Sequence, residues 1–132
     1  MKSPTLFIAI ILFLLSFSGI GQSSQPVESC RRRPDVVGKC FNVNGRLLVY
    51  NGTPSIRLRP SGSKRLLGVI DPNDTSNAPG PTVLPVSIKE KLDWNRDVYG
   101  DFLVCPLTRA KPGRMQTICI ESAKNLTVRE HK

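Results

Sequence analysis

The chain has 132 residues, with 19 Lys and Arg against 10 Asp and Glu, one His and four Cys. That length holds one domain plus an export segment and excludes a large two-domain enzyme. The single histidine, His131, stands second from the end, which argues against hydrolases and nucleases built on a buried imidazole.

The first element in chain order is a secretory signal, expected over residues 1–21. Lys2 gives the positive start, and residues 6–17 form an apolar run too short to span a bilayer comfortably. Ser18, Gly19 and Gly21 then lead to a cut ahead of Gln22. Cleavage removes Lys2 and leaves 18 basic against 10 acidic groups, net +8. No second apolar stretch is long enough to cross a membrane. A mature chain of this size buries only about 60–70% of its unfolded surface, so covalent staples help.

Residues 22–38 are polar, contain Arg31, Arg32 and Arg33, and read as a flexible basic N-terminal arm. Residues 39–132 read as one β domain. Residues 39–43 pass through Asn44 and Gly45 into residues 46–50, with Phe41, Val43, Leu47 and Val49 on one parity. The turn at Asn51-Gly52-Thr53-Pro54 precedes a second strand, in which Ile56 and Leu58 point inward and Arg57 and Arg59 outward. A third strand covers residues 64–70. Residues 71–85 carry Pro72, Pro79, Pro81 and Pro85 and read as loop. Residues 86–94 hold one short helical turn, with Ile88 and Leu92 four apart. Residues 101–107 and 115–121 form a hairpin about a turn at 108–114, and residues 126–128 are a last short strand.

Cys30, Cys40, Cys105 and Cys119 all follow the signal. An even count in a small exported domain favours disulfides, and no C-x-x-C pair supports zinc or redox chemistry. Cys105 and Cys119 are equidistant from Pro112-Gly113, so the hairpin sets them face to face. That favours Cys105–Cys119 with Cys30–Cys40. The alternative staples Cys40 to one of the late pair and leaves Cys30 free.

Two segments carry a family likeness. Gly45-Arg46-Leu47, Asn51-Gly52-Thr53-Pro54 and Ile56-Arg57-Leu58 form one, and the run from Asp97-Val98-Tyr99-Gly100 into Asp101-Phe102-Leu103-Val104 forms the other. They resemble the transthyretin-like and carboxypeptidase-regulatory-like β-sandwiches, over about residues 41–69 and 97–120. The resemblance implies an all-β fold, a small antiparallel β-sandwich of transthyretin (prealbumin) type. It transfers no ligand or catalytic residue. The hydroxyisourate hydrolase branch needs histidines and a Y-R-G-S-like tail, whereas this chain ends Arg129-Glu130-His131-Lys132. Residues 40–69 also look like small exported bacterial proteins, which implies an envelope location and no mechanism.

Candidate chemistry is sparse. Ser61-Gly62-Ser63-Lys64 spells S-x-x-K, but inside a turn rather than at a helix start. Asp71, Asn73, Asp74 and Asn77 could offer oxygen ligands, without calcium-loop spacing. Glu90, Asp93, Asp97 and Asp101 invite a paired-carboxylate reading, with Trp94 and Tyr99 to stack on a sugar. The basic residues Arg57, Arg59, Lys64 and Arg65 form the expected polyanion or partner surface, without the interleaved base-stacking aromatics of nucleic-acid-binding modules. Asn51, Asn73 and Asn125 head glycosylation sequons.

The sequence therefore predicts a secreted or periplasmic, non-enzymatic binding or structural module without a cofactor. Its expected partner is an envelope protein or an anionic polymer, and not a specific nucleic acid. The alternative is a secreted protease inhibitor or effector that presents the hairpin loop 108–114, with Thr108, Arg109, Lys111 and Arg114.

Overall fold

A computed structural model describes residues 29–70 and 84–131. The signal segment, the start of the arm, the oxygen-rich loop at Asp71, Asn73, Asp74 and Asn77, and the Asn73 sequon lie outside the described residues.

Among the described residues the barrel domain has five strands and one α-helical turn: β1 (Phe41–Val49), β2 (Ile56–Pro60), β3 (Leu67–Val69), α1 (Val86–Lys89), β4 (Arg96–Pro106) and β5 (Gln116–Glu130). The all-β expectation holds. The strands run in the order β1-β2-β3-β5-β4 and close on themselves. Two details differ from an all-antiparallel sandwich. β3 and β5 are parallel, and β1 pairs with β4 on one edge and β2 on the other, so the sheet closes into a barrel. The result is a closed barrel of mixed strand direction, an architecture that assigns no ligand by itself.

Gly45 makes the closure feasible. It stands opposite Pro60 of β2 and Gly100 of β4 at the same time. A Cβ at Gly45 would lie on the Arg59 carbonyl oxygen, so no larger residue fits between the two ladders. A second close approach shapes β4–β5. The register shifts between Tyr99 and Asp101, and a Cβ at Gly100 would sit 2.6 Å from Leu126 Cδ2. This bulge lets β5 run unbroken through Asn125, at φ 55°, into what the sequence suggested was a separate last strand.

The inward parity is filled by Val43, Leu47, Ile56, Leu58, Leu67, Val69, Val98, Phe102, Val104, Ile118 and Ile120. Ile88 of α1 plugs the same core, and Leu92 packs against it as their spacing predicted. Phe41, expected inward, is exposed, because β1 begins beyond the end of the core.

The favoured disulfide pairing is corrected. Cys30 bonds Cys119, and Cys40 bonds Cys105. Register explains the second bridge: Phe41 lies opposite Val104, so one step back along β1 brings Cys40 to Cys105. The arm then crosses the outer face, where a 3₁₀ turn (Cys30–Arg32) meets Cys119. From Ser29 onward the arm lies against the barrel. Ser29 Oγ donates to Glu121 Oε1 at 2.7 Å, and the Val37 N–H donates to the Pro106 carbonyl at 2.9 Å. Arg33 is buried and paired with Asp35 at 2.6 Å, so it adds no charge to a solvated basic run.

Candidate functional site

Outward positions on β1, β2, β4 and β5 gather one chemical type. In the ladder, Arg46 lies opposite Arg59 of β2 and Tyr99 of β4. Arg46 Nη1 donates to the Tyr99 hydroxyl at 3.2 Å, and Arg129 of β5 covers the Tyr99 ring at 4.6 Å. The arrangement repeats one strand over. Arg57 covers the Tyr50 ring at 4.6 Å, and Arg59 Nη2 donates to the Tyr50 hydroxyl at 3.2 Å. Four guanidinium groups are thus spread over two tyrosines, each cation steadied by a ring quadrupole or a phenol oxygen.

The electrostatics are one-sided. Asp97 lies 3.5 Å from Arg46 and is, among the described residues, the carboxylate in ion-pair reach of these arginines. Its other oxygen meets His131 Nε2 at 2.5 Å. Hydrogen bonding to Tyr99 holds the Arg46 guanidinium above its ordinary pKa, so its charge is permanent. Arg59 Nε is buried with no hydrogen-bond partner among the described residues.

A groove opens beside this face. The β2–β3 connection gives it Lys64, Arg65 and Leu66, and the β4–β5 loop gives it residues 110–115; its volume is about 570 Å³. Gln116 braces the two walls, accepting from Arg65 Nη2 at 3.4 Å and donating to the Thr108 carbonyl at 2.9 Å. A smaller hollow of about 340 Å³ lies between Arg46, Arg59, Tyr99 and the β2–β3 turn. Lys64 lines both.

Of the four basic residues the sequence singled out, Arg57 and Arg59 lie on the face, Arg65 lies in the groove, and Lys64 stands between them. Tyr50 and Tyr99 sit among the arginines, each under a guanidinium. Arg46 and Tyr50 share the outward parity of β1 and were detectable by alternation. Tyr99 and Arg129 were not, because only the β1–β4–β5 register brings them there.

The paired-carboxylate reading separates. Asp93 takes the Asn95 N–H and Arg96, Asp97 takes Arg46 and His131, and Asp101 takes Asn44 and Asn125. Trp94 is exposed at the turn before β4. Ser61 lies in the β2–β3 turn and donates to Asn44 Oδ1 at 2.6 Å. Residues 108–114 are all exposed, and the loop starts from Thr108 Oγ1, which accepts the Thr117 N–H at 2.9 Å. Among the described residues no cluster of His, Cys, Asp and Glu could hold a metal ion, and no helix is long and apolar enough to cross a membrane. No family model, curated protein or solved structure matches the chain.

Proposed function

We propose that this protein is an exported, non-enzymatic module that binds an acidic polysaccharide on its arginine–tyrosine face. One observation carries the proposal: Arg46, Arg57, Arg59 and Arg129 gather around Tyr50 and Tyr99, with Asp97 the one carboxylate in ion-pair reach among the described residues. Guanidinium groups held by phenol rings keep their free N–H edges for sulfate or carboxylate groups. Each ring already carries a guanidinium over a face, which leaves it a poor platform for stacking nucleobases. That favours a polymer read through its charges. Two disulfides point to an oxidising, extracellular or periplasmic setting, which the signal at residues 1–21 would supply.

Titration with heparin across a salt series tests this. Arg57→Gln with Arg59→Gln should weaken binding by about tenfold or more and flatten its dependence on salt. Affinity that stays the same in this variant removes the proposal.

The second reading is a protease inhibitor. It is favoured by the exposure of loop 108–114 and by the two disulfides that pin the strands behind it. Trypsin digestion decides it: an inhibitor persists, whereas simple cleavage after Arg109 or Arg114 ends the idea.

A further inference from the structure

We infer that the groove at Lys64, Arg65, Lys111 and Arg114 is a second subsite on the same polymer track, so that this module prefers long acidic chains to short ones. The inference rests on the polysaccharide reading above and adds to it a path and a length requirement.

The path follows from the ladder. Leu58 pairs with Leu67, so the outward row that carries Arg59 on β2 continues to Leu66 at the start of β3. Arg57 lies opposite Gly68 in the next row. A Cβ on Gly68 would sit 2.6 Å from Pro54 Cγ and 3.2 Å from Met115 Sδ. The glycine therefore lets Pro54 and Met115 close over β3, and the surface stays continuous from the arginine face to the groove wall. Leu66 and Met115 give the groove an apolar lining under its cations. Lys64 is the hinge point, since it borders the hollow at Arg46 and Arg59 as well as the groove.

The charge pattern favours the same occupant. Lys64, Arg65, Lys111 and Arg114 are exposed, and among the described residues no acidic side chain lines the groove. Among the described residues none of the four has an ion-pair partner. Arg65 is held toward Gln116, and Gln116 in turn ties down the loop that presents Lys111 and Arg114. At about 4.8 Å per strand step, the route from Tyr99 on β4 to Leu66, just before β3, is roughly 15 Å before the loop is reached. A short oligomer covers the face alone; a longer one also reaches the groove.

Calorimetric titrations of the full mature chain with a heparin tetrasaccharide and a heparin dodecasaccharide test the inference. Lys111→Glu with Arg114→Glu alters two exposed loop side chains, and Lys64→Glu is an independent second variant. The loop variant should bind the tetrasaccharide within about twofold of wild type, but bind the dodecasaccharide about tenfold more weakly, with a shallower salt slope. Lys64→Glu should weaken both chains, because Lys64 borders both sites. Dodecasaccharide affinity unchanged in the loop variant overturns the second subsite and leaves the face proposal standing. Unchanged tetrasaccharide affinity in Arg57→Gln with Arg59→Gln overturns the face proposal itself.

Discussion

Cys105 of β4 and Cys119 of β5 stand directly opposite each other in the ladder, yet Cys119 is bonded to Cys30 of the arm and Cys105 to Cys40, just before β1. Their side chains share the outer surface of the barrel, where Val36 and Leu107 cover them and build a small second core with Cys30 and Cys40. The bridges therefore fasten a layer onto the barrel instead of closing a hairpin that the backbone already closes. Each links residues far apart in sequence, 89 and 65 positions, where a cross-link restricts the unfolded chain most.

Replacing Cys30 and Cys119 together by Ser should cost about 2–4 kcal/mol in urea unfolding. It should also expose the arm near Arg31 and Arg32 to proteolysis, since hydrogen bonds from Ser29 and Arg31 to Glu121 would then hold this turn to β5 without the covalent bridge. Peptide mapping of the unreduced protein gives the direct check. A fragment joining Cys105 to Cys119 would contradict the structure.

Gly45→Ala should destabilise the fold by about 1–3 kcal/mol, the usual cost of forced overpacking. The new methyl meets the backbone carbonyl of Arg59, which cannot swing aside as a side chain does. Gly62→Ala is the control. Gly62 has open space around it, but its φ of 73° makes the substitution strained for a different reason, so its cost should be smaller, about 1 kcal/mol. Thermal or urea melts of the two variants separate steric from conformational cost.

The strands were legible where burial is one-sided. Ile56 and Leu58 alternate with Arg57 and Arg59, and the structure keeps that parity. The closed, mixed sheet was not legible, because it depends on β1 pairing on both edges and on β3 joining β5 across more than forty intervening residues, and neither leaves a local periodicity. The face was half legible for the same reason. Arg57 and Arg59 show themselves within one strand, whereas Tyr99 and Arg129 join them only through register. The cysteine pairing failed on a related point. Opposition across a hairpin was inferred correctly, but the arm that competes for both sulfurs is irregular and carries no pattern.

Acid should weaken the β1–β4–β5 junction through Asp101. Its carboxylate accepts from Asn125 Nδ2 and Asn44 Nδ2, both at 2.8 Å, and these bonds hold its pKa below the ordinary 3.8. A carboxyl whose folded pKa is depressed stabilises the fold fully above its unfolded value, and that contribution is lost as pH falls through the lower folded value. Asn44→Ala with Asn125→Gly should move the Asp101 titration, followed by carboxyl NMR, back toward 3.8. Glycine is chosen at Asn125 because that residue has φ 55°. A titration that stays depressed would mean that these two amides are not the cause.

Asp97→Asn should separate stability from binding. Asp97 is 4% exposed and holds Arg46 at 3.5 Å and His131 at 2.5 Å, so it ties the end of the chain to the arginine face. Asparagine keeps the shape but loses the charge, and one of the two accepting oxygens is replaced by an NH₂ group that cannot accept. Two charge-assisted contacts weaken together, at a cost of about 1–3 kcal/mol in a melt. The same change removes the negative charge nearest the four arginines, leaving Arg46 uncompensated. Heparin affinity should therefore rise about threefold or more at low salt, and the gain should shrink as salt screens it. His131→Ala should reproduce part of the stability loss without the gain in affinity, because the Asp97 charge stays in place beside Arg46. Equal heparin affinity in wild type and Asp97→Asn would show that Arg46 takes no part in the polyanion face.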